Sequence, residues 1–434
     1  MKKIIYPAIA ATMAITSCIT APSAQQQLAR QILADTTLTH VEKMAHATIR
    51  NGFNAGSGYS QIWARDMNTF VEVACEEKNP AELRQAILLF FALQQPNDEM
   101  IDGYVVKEDF TWGDKNPYYS EAAPKHVAFK NTVETDQETS LMQIVYKYIQ
   151  KTGDKSILEA EVAGKTVLQR MDAMIDYLMR ERYDADHGLI YGAMTADWGD
   201  VQPNDPGDPV DINDLSVMAI DVYDNAMLII ALDGLLKVAP DYGGSARWKQ
   251  IRAGIYNKVR EHLWDDKNQK FIPHIYLDKR PDLGDFDENK VFYHGGTAVA
   301  IEAGLLTIEE IRAVNDQMVR NVKASGMPSI GLTLYPAYPK GFFCGGMANT
   351  YTYQNGGDWT WFGGRMIQQL VRNGMAKEAY EEIRPMVDRV IENGDFYEWY
   401  AQGCKPSGSA HFKGSAGVLA KAIKMLRAWA EENK

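Results

Sequence analysis

An all-α ring of six helical hairpins, an (α/α)6 toroid, is the fold class this sequence predicts. Three observations point there: about twelve segments with apolar residues spaced at three and four, joints between them that alternate between short and long, and no strand-helix alternation with a Gly-x-Gly-x-x-Gly turn. The chain has 434 residues, 46% hydrophobic and 24% charged, which supplies a large core and excludes a disordered chain, a disulfide miniprotein and a coiled coil. Composition stays even and no proline- or serine-rich linker divides the chain, so residues 25–434 read as one domain. Lys and Arg number 45 against 57 Asp and Glu, a net charge of −12, which argues against a nucleic-acid partner.

Residues 1–24 read as an export address and a short tether. Lys2 and Lys3 precede an apolar run too short to span a bilayer. Ile15-Thr16-Ser17-Cys18 has the form of a lipobox, which predicts lipidation at Cys18; a plain secretory signal cut near Ser23 or Ala24 is the alternative. Membrane contact is expected only through that lipid. No acidic residue occurs in Ile19-Thr20-Ala21-Pro22, which points to an anchor facing the periplasm. Cys75, Cys344 and Cys404 then remain, without C-x-x-C spacing, so no zinc site is expected.

The apolar spacing predicts helices over 25–50, 66–77, 80–95, 135–151, 155–181 and 217–238, then over 246–263, 295–304, 308–325, 360–373, 376–393 and 415–432. Asn79-Pro80, Gly153 and Gly374 supply starts and stops at the short joints. Short strands are expected near 271–275 and 291–294, in joints of one face. The long joints carry Trp, Asp, Glu, Asn and Gly, and in a ring of hairpins they all lie on that face, where chemistry should gather.

Each long joint has a candidate. Trp63-Ala64-Arg65-Asp66-Met67 opens a helix: Asp66 can cap it, and an indole with an Arg-Asp pair also suits a sugar. Asp136 and Gln137 stand at the next helix mouth, where acidic residues also serve the dipole. Asp197-Trp198-Gly199-Asp200 sets two carboxylates beside an aromatic wall that would raise their pKa. Asp205, Asp208, Asp211 and Asp214 follow it and suggest calcium as a competing reading, but their spacing is not that of an EF-hand loop. Asn225 follows Tyr223 and Asp224 at a helix start. Asn355-Gly356-Gly357-Asp358-Trp359-Thr360-Trp361 allows close backbone approach and ring stacking. Glu398, among Phe396, Tyr397, Trp399 and Tyr400, needs a partner or a purpose. Trp112 lies in a further long joint.

In this order the motifs resemble those of the six-hairpin glycoside hydrolases, which include amylo-α-1,6-glucosidases, trehalases, processing α-glucosidases and neutral invertases. The resemblance rests on Trp63 to Met67, Trp198-Gly199-Asp200, Asn355 to Trp359, and Glu398 with Gly414-Ser415-Ala416-Gly417, and it covers nearly all of the chain after the signal. It implies an inverting hydrolase with Asp200 as general acid and Glu398 as general base, Asp197 being the second choice of acid. Trp63, Arg65, Asp66, Asp136, Gln137, Asp197, Trp198, Asn225, Asn355, Gly357, Trp359, Trp361 and Trp399 would hold an oligosaccharide or small glycoside, for which an α-glucoside is the expectation. No cofactor or metal is implied. A disaccharide phosphorylase, with Lys405, Lys413 and His411 for phosphate, and an inactive glycan-binding lipoprotein are the rival readings.

Overall fold

The computed structural model describes residues 22–111, 117–203 and 208–434. Cys18 and the rest of the proposed signal, Trp112 and Asp205 lie outside the described residues.

The described residues form helices α1 (Ala24–Ala34), α2 (Thr36–Arg50), α3 (Ala64–Glu77), α4 (Pro80–Ala92), α5 (Gln137–Thr152), α6 (Val167–Glu181) and α7 (Val222–Val238). They continue as α8 (Ser245–His262), α9 (His294–Glu302), α10 (Ile308–Ser325), α11 (Thr360–Arg372), α12 (Ala376–Asn393) and α13 (Lys413–Asn433). Helices α3, α5, α7, α9, α11 and α13 pack each against the next, and α13 closes back on α3. The even-numbered helices return outside this ring, and α1 lies against α13. The (α/α)6 toroid is therefore the fold.

Inner and outer helices differ in sequence as their positions require. Inner α7, Val222–Val238, is apolar almost all round and buries residues on every face. Outer α6 and α12 are amphipathic, with one apolar stripe turned inward. Caps fall where the short joints promised: the Asn79 side chain accepts from Ala81 N ahead of Pro80, and Gly153 ends α5 in the left-handed conformation.

Three expected helices are shorter than their periodicity. The predicted 25–50 helix breaks at Asp35, whose carboxylate accepts from Thr37 N and caps α2. The predicted 155–181 helix gives its first turns to a 3-10 segment and a two-residue hairpin before Thr166 caps α6 with a capping box. The predicted 217–238 helix starts as the strand Met218–Ile220, and Asp221 caps α7.

All six inner helices begin on one face, and the long joints there are stitched to one another. Ile62–Trp63 pairs with Gly103–Val106, which pairs with His126–Phe129, joining the first two joints. Ala193 N donates to Val133 O, and Gly192–Ala193 pairs with Met218–Ile220, which also pairs with Ile275–Tyr276. Phe292–Tyr293 pairs with Leu334–Tyr335, Asp358 bridges Tyr400, and Lys413 N donates to Ala55 O, closing the circuit. This rim surrounds the pocket mouth.

Candidate active site

A cavity of about 420 Å³ opens within the rim, and its wall comes from four inner-helix starts and the joints before them. Trp63, Arg65 and Asp66 come from the entry to α3, Glu134 and Gln137 from α5, Trp359 and Trp361 from α11, and Phe412 from α13. Asp200 and Glu398 reach it from the third and sixth long joints, bringing together residues 198 positions apart in sequence.

Each of these two carboxylates is held by a tyrosine. Tyr59 donates its hydroxyl to Glu398 Oε1 at 2.9 Å, and Ser409 N donates to Oε2 at 2.8 Å. Gly408 makes that approach feasible, because a Cβ there would stand 2.5 Å from Glu398 Oε2 and its φ is +71°. Tyr353 donates to Asp200 Oδ2 at 3.2 Å. Its backbone is left-handed at φ 46°, unusual for an aromatic residue, and its carbonyl is pinned by Gly357 N and Trp359 Nε1, both at 3.0 Å. Asp200 Oδ1 has no partner within the protein.

Burial raises both pKa values above the ordinary carboxylate range. Arg65, Gln354 and Tyr353 oppose the rise at Asp200. The Ser409 N–H and Tyr59 oppose it at Glu398, while the charge of Asp200 adds to it. Asp66, in the first turn of α3, is pushed up to about 8 by burial and then by Glu398, against Arg65. Its Oδ1 is also unpartnered, as is Trp361 Nε1, so the pocket wall offers an acceptor and a donor that a hydroxyl-bearing ligand would satisfy.

The aromatic wall has two layers. Trp63 and Phe129 meet at 6.1 Å between ring centroids, and Gly103 permits this strand pairing because a Cβ there would lie 2.4 Å from Trp63 Cε3. Trp359 and Trp361 line the cavity, and Trp198 lies behind them, edge-on to Trp359 at 4.8 Å and stacked on Phe362 at 4.5 Å.

Several expected ligand residues therefore do not line this cavity. Trp198 is 1% exposed and supports the wall instead of forming it. Asp197, expected as the second choice of acid, is buried behind it and accepts from Gly296 N at 2.8 and 3.0 Å, fixing the start of α9. Asp136 is the internal counter-ion of Arg65, accepting at 2.7 and 2.8 Å, and also receives the Tyr223 hydroxyl. Asn225 bonds the main chain of Ile190 and Asp221. Asn355 ties Tyr338 N and O into the fifth joint, and Gly357 gives its carbonyl to Thr333. Trp399 packs on Tyr353 outside the cavity lining. In each case the residue is spent on the protein's own structure, bracing a joint or the start of an inner helix.

Sequence reasoning missed Tyr59, Asp102, Lys130, Asn131, Tyr353 and Gln354. Tyr353 and Gln354 directly precede the Asn355-Gly356-Gly357 run, and Tyr59 ends a glycine-rich joint, so a local signal existed for these three. Asp102 and Lys130 sit beside strands too short to announce themselves.

The profile of the amylo-alpha-1,6-glucosidase family matches residues 124–425. Among solved structures, a GH63 mannosylglycerate hydrolase from Thermus thermophilus, in complex with Tris and D-glycerate, superposes with a TM-score of 0.62 at 14% identity, over 89% of this chain and 98% of that one. The same hydrolase in complex with glucose gives 0.61, over 89% and 99%. A rhamnosidase from Klebsiella oxytoca with rhamnose bound gives 0.59 at 14% identity, over 90% of this chain and 64% of that one. A search of the curated proteins returns no match.

Proposed function

We infer the activity from membership: the chain belongs to the amylo-alpha-1,6-glucosidase family of six-hairpin glycosidases, and it is a glycoside hydrolase. We propose that it inverts the anomeric centre of an α-glucoside, with Asp200 protonating the leaving oxygen and Glu398 activating water. The observation that carries this reading is the pair of buried carboxylates in one cavity, each with a dedicated tyrosine donor. Hydrolysis needs one protonated and one ionised group near neutral pH. Burial supplies the first by raising Asp200. Burial raises Glu398 as well, and the Ser409 N–H and the Tyr59 hydroxyl oppose that rise, which suits it to the ionised role. Trp63, Asp66, Trp359 and Trp361 hold the sugar against the aromatic wall, with the free Asp66 Oδ1 and Trp361 Nε1 on its hydroxyls, while Arg65 is spent on Asp136 and Glu134.

Export and lipid anchoring at Cys18 complete the reading, with residues 25–434 as one catalytic domain. Gln25 Nε2 donates to Asn433 Oδ1 at the far end of α13, whose first turn is at the pocket. A tether leaving there emerges roughly 30 Å along that helix from the cavity, so the mouth stays open to solvent beside a membrane. Release of glucose from α-linked di- and oligosaccharides, with the product anomer followed by NMR, tests the proposal. Formation of the β-anomer from an α-glucoside supports inversion, and retention of the α-anomer or inertness on all α-glucosides contradicts it.

A further inference from the structure

The two catalytic carboxylates divide the cavity, and the half beyond Asp200 points to a class of leaving group, an inference that rests on the hydrolase reading above. The inner helices pack in chain order, so the second and third long joints lie across the ring from the sixth, which carries Glu398. Water attacks from the side of Glu398, and the leaving oxygen departs toward Asp200. The wall on that side comes from the second joint, with Phe129, Lys130 and Asn131, and from the third, with Pro209 and Val210, while Trp63 of the first joint stands beside them. Trp63, Pro209 and Val210 are half-buried and reach the mouth, whereas Asp66, Trp359 and Trp361 are buried.

The two halves differ in what they offer a ligand. Near Glu398, Asp66 Oδ1 and Trp361 Nε1 have no protein partner. Beyond Asp200, the polar groups of the described residues are spent on one another. Gln137 Nε2 donates to Asp102 Oδ1 and Glu134 Oε2, both at 2.6 Å, and its Oε1 accepts from Lys130 at 3.0 Å. Asp102 Oδ2 accepts from Asn131 N at 2.8 Å, and Glu134 Oε1 meets Arg65 at 2.9 Å. The Asn131 side chain donates to the Asp200 carbonyl and accepts from Val133 N, both at 2.9 Å. The facing loop is tied down too: Pro209 O accepts from Gln202 N at 2.9 Å, and Val210 O from Thr132 N at 3.1 Å. What remains toward the cavity is the apolar surface of Trp63, Phe129, Pro209 and Val210, with Phe129 fixed between Trp63 and a stacked Phe110 at 5.8 Å.

A second sugar placed here would give up water from its hydroxyls and find few donors or acceptors in exchange. An apolar ring would shed water at no such cost and lie against the aromatic wall. We propose that Trp63, Phe129, Pro209 and Val210 form a leaving-group subsite that selects glycosides of an apolar, ring-bearing alcohol over those of a second sugar.

Benzyl and methyl α-glucosides test this, because their leaving alcohols are similarly acidic and differ in apolar area. The benzyl glucoside should exceed both the methyl glucoside and maltose in kcat/KM by at least about tenfold, and added salt should not narrow the gap. Calorimetric titration of Glu398→Gln with the same pair, and with the matched α-mannosides, reads the preference without turnover. In Val210→Thr, which keeps the shape and adds a hydroxyl, the benzyl-to-methyl ratio should fall by about threefold or more; Phe129→Leu gives a second measure. Equal values for benzyl and methyl glycosides, a preference for maltose, no binding of any benzyl glycoside, or an unchanged ratio in both variants would overturn the proposal. A benzyl preference in binding without hydrolysis of any glycoside by the wild type would overturn the catalytic reading and leave this one standing.

Discussion

The same inner helices carry two clusters of buried charge, one at their starts and one farther along the barrel axis, and the clusters are opposite in character. Along the axis, Glu72 and Glu302 face Lys147, Arg365 and Lys421 around a residual void of about 10 Å³. Arg365 meets Glu302 at 2.9 Å, Lys421 meets Glu72, and Lys147 donates to the carbonyl and side chain of Asn68, both at 2.7 Å. Burial alone would raise Glu302, but Arg365, Lys147 and Lys421 outweigh it and bring its pKa down to about 2. In the cavity, burial wins: Asp66, Asp102, Asp200 and Glu398 all rise. On the axis burial still pulls Lys147 down to about 7, but the opposite directions of the carboxylates separate a network that joins helices from one that awaits a ligand.

That contrast breaks most sharply at the catalytic pair. Asp200→Asn and Glu398→Gln should each lower kcat by about 10²–10⁴-fold, the scale of lost acid-base catalysis, with circular dichroism and melting close to wild type. On the axis the outcome reverses. Glu302→Gln leaves Arg365 without its charge partner and should cost about 3–5 kcal/mol in urea unfolding, while kcat per folded molecule changes little.

The tyrosines sharpen the comparison, since each lowers the pKa of one carboxylate against its burial. Tyr353→Phe should raise the pKa of Asp200 further, moving the alkaline limb of the rate profile to higher pH, with roughly a tenfold loss in kcat/KM for a hydrogen bond to a charged group. Tyr59→Phe should raise Glu398 and move the acid limb upward, narrowing the active range from the other side. Unmoved limbs in both variants would assign the tyrosines to packing alone.

The smallest effect concerns stability. With a folded pKa of about 8, Asp66 contributes stability that is full below its unfolded value near 4 and is lost as pH rises through about 8. Asp66→Asn should remove that loss, so that above pH 8 its Tm exceeds that of wild type by a few degrees at reduced activity. A melting curve with the same pH slope in both proteins would contradict the assignment.

The inner ring was legible because its helices are strongly apolar and open on long joints, and α7 is apolar on every side, as only an enclosed helix can be. Asp200, Glu398, Trp63, Arg65, Asp66, Trp359 and Trp361 were legible because chemistry-bearing residues crowded the joints before inner helices. The same crowding misled at Asp136, Asp197, Asn225 and Asn355. Those side chains satisfy buried backbone and charge at helix starts, a demand that leaves the same residue types in the same places. Asp102 and Lys130 stayed hidden because their place in the wall depends on two- to four-residue strands brought together by the rim.

In the proposed reaction Asp200 and Glu398 divide the work between them, and α-glucosyl fluoride separates the two roles, because fluoride departs without a protonated acid. Asp200→Asn should hydrolyse this substrate at near wild-type rate while failing on ordinary α-glucosides, and Glu398→Gln should fail on both. Rescue of Glu398→Gln, with Asp200→Asn inert toward the fluoride, would contradict it.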